Sequence, residues 1–178
     1  MRMKVLETKK IYCGCCCSFH DVQVVKIRDK AMFKGLEFEY DTICVYCDVD
    51  ETFYLDGEQI NEDDYRMKDA YRKKVGLLTS KDIKAIRKKY GITQSALCII
   101  LGWGEKTITR YETCQVQDRA HDLILKKIDM DPEWFLILLE DAKESLPEKV
   151  YEHSLGITKK LCAKYRKATL ERLLKEAM

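Results

Sequence analysis

Cysteine placement is the strongest constraint on how this chain can fold. The 178 residues include nine cysteines, six of them within the first 47 positions. The N-terminal segment lacks the apolar core of a secretory signal, so we expect a cytoplasmic protein. Disulfides rarely persist in a reducing cytoplasm. The clustered cysteines are therefore expected to bind a metal rather than to pair with one another.

The spacing of the cysteines indicates a zinc site. Cys13 and Cys16 form one C-x-x-C pair, Cys44 and Cys47 form another, and 27 residues separate the two pairs. A tight turn can direct two such thiolates at one ion, at a Zn–S distance of about 2.3 Å. Two turns then supply four soft ligands. We predict one structural Zn²⁺ per chain, held by Cys13, Cys16, Cys44 and Cys47.

Alternatives remain open within the first cysteine pair. Cys15 or Cys17 can replace Cys13 or Cys16 as a ligand, and His20 is a further conceivable donor, although a surface histidine is the commoner case. Four thiolates leave no open position for a substrate, so we expect a protein that is not an enzyme. A hydrolase or redox protein using the cysteines is the rival, but no His-Glu or Ser-His-Asp grouping accompanies them.

Strand patterns lie around and between the cysteine pairs. Residues 22–28 and 36–43 favour strands, and the second segment alternates apolar with acidic side chains. Lys34-Gly35 predicts the turn between them, and residues 52–55 predict a third strand. A helix from about residue 60 to 74 is expected to connect this zinc-ribbon-like module to the rest of the chain.

The middle of the chain reads as a series of short helices. Thr79 begins a capping-box pattern, and Thr93 can cap a helix over residues 94–101. Residues 102–104 form a glycine-bearing turn, and a further helix is predicted over 105–113. Two short helices joined by such a turn predict a helix-turn-helix, the arrangement that places its second helix in the DNA major groove.

The charge pattern fits a polyanion partner for this region. The net charge of the whole chain is only +2, but residues 79–119 carry eight basic and four acidic side chains, and residues 120–145 carry three basic and seven acidic ones. Such a polarised domain presents one face to nucleic acid, although solvated helix faces can show the same asymmetry. No apolar run is long enough for a membrane span, so no membrane partner is expected.

Two motifs together resemble a known family. The string from Ile92 to Glu112, which ends in Thr-Ile-Thr-Arg-Tyr-Glu, resembles the Xre/lambda-repressor-type helix-turn-helix. A cysteine-based zinc module directly ahead of it resembles the MqsA-like antitoxins, the YgiT-type zinc-finger/helix-turn-helix family. The resemblance covers residues from about 11 to 145. Cys114 stands where relatives often place a glycine, so the turn after the second helix is expected to differ.

The resemblance implies both a function and a set of contacts. The N-terminal module would bind zinc and contact a cognate protein toxin, while the C-terminal module would form a homodimer on a palindromic operator in double-stranded DNA. Base contacts would come from Lys106 and Arg110, and Gln94 would hold a backbone phosphate. Arg110 can also bind guanine bidentately, while Thr107 and Thr109 offer hydroxyls. A salt bridge for Arg110 and a merely solvated Lys106 are the rival interpretations.

The C-terminal third is apolar and helical. Residues 119–128 predict a helix, and Asp131-Pro132 predicts the start of another whose Trp134, Phe135, Leu138 and Leu139 form either a dimer face or a monomer core. A last helix from Lys159 could strengthen a dimer, grip a partner or cover the domain.

The predicted fold class is α+β, with a zinc-ribbon-like module over 1–75, an all-α lambda-repressor-like domain over 76–145 and a helical extension over 146–178. The expected function is an antitoxin-type transcriptional repressor. The alternative is a stand-alone zinc-containing regulator of phage or mobile-element type, without a toxin.

Overall fold

The protein is an α+β chain that divides into two compact units. A computed structural model describes residues 3–176, without the side chain of Glu58. Over that range it has a four-stranded antiparallel sheet followed by seven α-helices. The N-terminal unit extends to Gly76, and the C-terminal unit begins at Leu77. No helix among the described residues is both long and apolar enough to cross a membrane.

The sheet is a simple meander. Its strands lie in the order in which they occur in the chain: β1 (Lys4–Cys13), β2 (Ser18–Phe33), β3 (Leu36–Cys47) and β4 (Thr52–Tyr54). The predicted turn at Lys34-Gly35 joins β2 to β3, with φ of 49° and 78° at these two residues. Such positive φ angles match the twist of a two-residue hairpin. Strand β1 is the element that the sequence patterns did not predict.

The two faces of the sheet have different surroundings. Phe38 and Tyr40 of β3 point to one face, on which helix α1 (Gly57–Lys74) packs, and the Tyr40 hydroxyl donates a 2.7 Å hydrogen bond to Asp63. Glu37, Glu39 and Asp41, which alternate with these residues, point to the other face, as the pattern predicts. Helix α1 is therefore part of the N-terminal unit rather than a free connector, because its apolar side is needed to cover the sheet.

Six helices form the C-terminal unit. They are α2 (Ser80–Lys89), α3 (Gln94–Ile100), α4 (Thr107–Glu112), α5 (Arg119–Met130), α6 (Pro132–Asp141) and α7 (Glu148–Glu176), with a 3₁₀ turn over Lys143–Ser145. The predicted N-caps Thr79, Thr93 and Asp131 are confirmed, each by a side-chain oxygen that accepts from backbone amides of the first turn. Helix α4 is shorter than predicted, since residues 105 and 106 belong to the preceding turn.

One hydrophobic core holds these helices together. Each of the helices α2 to α6 contributes a fully buried member, namely Ile83, Leu97, Ile108, Leu125 and Phe135 in chain order. Phe135 and Leu139 thus lie in the core of the monomer. Helix α7 begins at Glu148, not at Lys159, and its first half packs on the same core through residues such as Tyr151. Ser154 adds a 3.1 Å hydrogen bond to the carbonyl of Tyr90.

Candidate functional site

Four metal-ligating side chains meet at one end of the sheet. The donor atoms of Cys13, Cys16, His20 and Cys47 all lie within 4.8 Å of one another. Cys13 ends β1, Cys16 lies in the β1–β2 turn, His20 lies near the start of β2, and Cys47 ends β3. In a meander, the β1–β2 and β3–β4 turns fall at the same end of the sheet. The topology therefore brings together residues that are far apart in the chain.

The dimensions of this cluster fit a single metal ion. The His20 Nε2 atom lies 3.2 Å from the Cys16 sulfur and 3.6 Å from the Cys47 sulfur. In a tetrahedral site with Zn–S near 2.3 Å and Zn–N near 2.0 Å, nitrogen and sulfur ligands would be about 3.5 Å apart. Cys13 and Cys47 are fully buried, and all nine cysteines are free thiols. The residues present thus fit a metal that prefers sulfur and nitrogen.

Contacts of the Nδ1 atom of His20 orient its other ring nitrogen, Nε2, toward the sulfurs. His20 Nδ1 lies 3.0 Å from the carbonyl oxygen of Asp21 and 3.3 Å from a carboxylate oxygen of Asp48. Both neighbours are acceptors, so they favour the tautomer that carries the proton on Nδ1. That tautomer leaves the Nε2 lone pair free toward the cysteines, as in metal sites whose histidines are held by outer carboxylates or carbonyls.

The surroundings of Cys13 favour its thiolate. The backbone amide of Cys16 lowers the pKa of Cys13, burial opposes this, and interactions with His20 and Tyr54 reinforce it, to a pKa of about 5. Cys47 differs, because burial and the neighbouring Cys13 and Cys16 side chains raise its pKa, although nearby backbone amides oppose this. The pKa of His20 is raised, chiefly by its interaction with Cys13. The surroundings of Cys13 therefore favour the anionic form, which is the form of cysteine that binds a metal.

Cys44, which the cysteine spacing predicted as a ligand, does not belong to this cluster. Cys44 and Cys47 both belong to β3, where residues three apart point to opposite faces of the sheet. Cys44 is 3% exposed on the α1 side and packs with Val25 and Ile27. The second C-x-x-C pair is thus a strand segment rather than a turn, and a strand cannot direct both thiols at one ion.

His20 takes the place that Cys44 was expected to fill. Its side chain is 17% exposed, so it is not the surface histidine that the sequence favoured. His20 and Val22 share a face of β2, and Val22 packs with Cys47 in one apolar cluster. Strand parity in β2 and β3 is the sequence signal that could have found it, once the register of the two strands was known.

The remaining thiols lie beside or away from the cluster. Cys15 is half-buried against the same apolar group, and burial raises its pKa, whereas Cys17 is exposed. The other three belong to the C-terminal unit, where Cys98 and Cys162 are buried and Cys114 is exposed.

The residues predicted to contact DNA lie in or next to two helices. Gln94 begins α3, Lys106 is the N-cap of α4, and Thr107, Thr109 and Arg110 lie within α4. Lys106 and Arg110 are exposed and one helical turn apart, whereas Thr107, Thr109 and Gln94 are half-buried. Lys106 lies 3.5 Å from the carboxylate of Glu105. Within residues 3–176, no hydrogen bond or ion pair engages the Arg110 guanidinium. The acidic groups considered as its partners are engaged elsewhere, Glu112 with Arg87 and Asp118 with His121.

A buried polar network ties three of these helices together. Arg87 of α2 donates two hydrogen bonds, of 2.6 and 3.0 Å, to the carboxylate of Glu112 in α4. Gln94 of α3 donates to the same carboxylate at 2.8 Å and accepts from the Thr109 hydroxyl at 3.1 Å. Gln94 and Thr109 therefore satisfy each other inside the domain. Arg87, which the sequence patterns did not single out, holds the network together.

Comparisons with protein-family models, with curated proteins and with solved structures find no match to this chain.

Proposed function

We propose that this protein is a cytoplasmic, DNA-binding transcriptional repressor with a structural zinc centre, acting on a palindromic operator as a homodimer. The observation that carries the proposal is the outer face of α4. Arg110 lies on it and Lys106 lies at the N-cap four residues earlier; both are exposed, and the Arg110 guanidinium has no internal partner among the described residues. In this proposal α3, the turn after it and α4 form a helix-turn-helix, with α4 in the major groove.

Charge neutralisation inside the domain supports this role for α4. Glu112 is the acidic residue of the helix, and Arg87 and Gln94 bind its carboxylate where it is 3% exposed. The negative charge of Glu112 is thus withdrawn from the surface, while Arg110 of α4 and Lys106 at its N-cap stay in solvent. A free guanidinium can bind the O6 and N7 atoms of guanine bidentately. Lys106 can contact a neighbouring base or phosphate.

Gln94 and Thr109 would act mainly as positioning residues. Their side chains bond to each other and to Glu112, so they fix the crossing of α3 and α4. Any phosphate contact by Gln94 would have to share or replace these hydrogen bonds. The half-buried Thr107 retains its role as a candidate DNA contact at the start of α4.

Zinc is the metal that the N-terminal site suits best. Three thiols and one imidazole are soft and borderline donors, which favour Zn²⁺ over Mg²⁺ or Ca²⁺. Four protein ligands would complete a tetrahedron and leave no position for a substrate. When bound, the ion would stabilise the fold by joining the β1–β2 turn to the end of β3.

A DNA-binding measurement tests the proposal. Full-length protein is titrated against a labelled duplex from the region upstream of its own gene, and against a shuffled duplex of equal length, at several salt concentrations. We expect Arg110→Ala to weaken specific binding by about 10–100-fold, because a bidentate contact is worth about 1–3 kcal/mol. Lys160→Ala, which removes an exposed lysine from α7, is the matched control and should bind normally. Equal binding of both duplexes by wild type and by the Arg110 variant would contradict the proposal.

Toxin neutralisation by the N-terminal unit is proposed from the resemblance to MqsA-like antitoxins alone. Native mass spectrometry of the protein co-expressed with the neighbouring open reading frame tests it. A complex with a small protein is the expected result. A zinc-loaded dimer without a partner would leave the stand-alone regulator.

A further inference from the structure

The two turns at the metal end of the sheet belong to a degenerate internal repeat. Residues 11–19 read Ile-Tyr-Cys, four residues, Ser-Phe, and residues 45–53 read Val-Tyr-Cys, four residues, Thr-Phe. The offset between the two segments is 34 positions. Of the five matched positions three are identical and two are conservative replacements, which points to two copies of one hairpin.

The structure of the two hairpins agrees residue by residue. Cys13 and Cys47 each end a strand, a four-residue turn follows each of them, and Ser18 and Thr52 begin the next strands as their pairing partners. The last turn residue has a positive φ in both copies, 53° at Cys17 and 51° at Glu51.

The surroundings of the two cysteines also correspond. An aromatic pair flanks each turn, Tyr12 with Phe19 at 5.3 Å and Tyr46 with Phe53 at 4.9 Å between ring centres. In the first copy, the backbone amides of the second and third turn residues interact with the Cys13 sulfur. In the second copy, the amides at the same two positions interact with the Cys47 sulfur. Both turns thus have the form that directs side chains at a metal.

The copies differ at the position of the second ligand. The equivalent of Cys16 is Asp50, and the equivalent of His20 is Tyr54, whose hydroxyl is buried. The first hairpin therefore supplies three of the clustered donors and the second supplies Cys47 alone. Asp50 is exposed, and within the described part of the chain no side chain pairs with its carboxylate. Its backbone carbonyl accepts a 2.8 Å hydrogen bond from Thr52.

We propose that Asp50 is a reserve ligand, which takes the fourth position on the metal when His20 leaves it. The proposal rests on the metal centre of the proposed function. Carboxylate oxygen binds zinc at about 2.0–2.2 Å, close to the thiolate distance. It also lies one bond farther from Cβ than a cysteine sulfur does. Asp50 therefore has the reach that Cys16 uses from the equivalent turn position, once its side chain rotates inward.

This arrangement divides the ligands into two classes. Cys13, Cys16 and Cys47 bind in both forms of the site, whereas His20 and Asp50 alternate in the fourth place. The ion would stay four-coordinate while the imidazole is displaced. A site of this kind exchanges one ligand without releasing its metal.

Metal titration of four variants tests the proposal. Co²⁺ absorption and competition for Zn²⁺ with a chelator give the stoichiometry and affinity of full-length wild type, His20→Ala, Asp50→Ala and the double variant. We expect His20→Ala to keep one metal per chain with affinity lowered about tenfold or more, since outer-shell partners alone are worth about 10–100-fold. Asp50→Ala should match wild type within about twofold. The double variant should lose a further factor of about ten relative to His20→Ala.

The matched control is His20→Ala combined with Asp48→Ala. Asp48 is an acid in the same turn whose contact is with His20 itself, so its loss should add nothing once His20 is absent. Equal affinities of the two double variants would overturn the proposal, because any effect of Asp50 would then be one of charge alone. A loss in Asp50→Ala as large as in His20→Ala would also overturn it. Wild type that binds neither Co²⁺ nor Zn²⁺ would instead refute the metal centre itself.

A further variant covers the case in which His20→Ala does not fold. Asp50→Cys completes the second hairpin as a copy of the first. We expect the sulfur-to-cobalt charge-transfer absorption to rise by about one third, as three thiolates become four. Absorption unchanged from wild type would show that position 50 does not reach the ion, and the proposal would be wrong.

Discussion

The ion pair between Arg87 and Glu112 is expected to contribute strongly to the stability of the C-terminal unit. Glu112 is 3% exposed and Arg87 is 16% exposed. Replacing Glu112 with Leu leaves a mostly buried guanidinium without its carboxylate, and it removes the acceptor of Gln94. Removing one partner of a buried pair typically costs about 3–5 kcal/mol. Arg87 keeps its 3.0 Å hydrogen bond to the Ile92 carbonyl, so we expect the lower end, about 3 kcal/mol.

A double-mutant cycle separates the interaction from the two side chains. Arg87→Met alone leaves the buried Glu112 carboxylate without its partner and should also cost about 3 kcal/mol. The double variant removes both charges, so it should cost well below the sum of the two single variants. We expect a coupling energy of about 2 kcal/mol or more. Urea unfolding followed by tryptophan fluorescence reports the C-terminal unit, because both tryptophans, Trp103 and Trp134, belong to it.

With about 1–3 kcal/mol per molar urea, each single substitution should lower the midpoint by about 1–3 M. A coupling energy below about 0.5 kcal/mol would refute the reasoning.

Three further predictions concern pH, backbone conformation and metal. Burial raises the pKa of Glu112, but its hydrogen bonds to Arg87 and Gln94 lower it by more, so the net pKa is lowered. The carboxylate therefore contributes its full stabilisation at pH values above the ordinary carboxyl pKa. We expect the unfolding midpoint to fall as acid takes the pH down through the lowered pKa; a flat profile would count against this. Gly91→Ala should cost more than Gly102→Ala in the same assay, since both have φ of 63° but only at position 91 would a Cβ collide with α7. Equal losses of stability in the two variants would mean that the α7 side chains move aside without a cost in free energy. Cys47→Ser should lower zinc content by mass spectrometry, whereas Cys44→Ser should keep it and only destabilise the sheet, by about 1–3 kcal/mol for a buried hydroxyl. Zinc loss in both variants would restore Cys44 as a ligand.

Local signals in the sequence determined much of the secondary structure. Thr79 and Thr93 predict helix starts because a hydroxyl next to the first turn satisfies an amide that has no other partner. The alternation along β3 predicts its two faces, because successive side chains of a strand point in opposite directions. Three of the four clustered donors, Cys13, Cys16 and Cys47, are among the residues that cysteine spacing predicted. Each of these features depends on neighbours a few positions away.

The tertiary structure decided what depends on distant segments. Whether Cys44 or His20 completes the cluster depends on strand length, register and which face α1 covers, and no spacing within one cysteine pair contains that information. A C-x-x-C segment points both thiols to one side in a turn but to opposite sides in a strand. Likewise, the ionic role of Arg87 appears only once α2 and α4 are in contact, because its carboxylate partner lies 25 positions later in the chain.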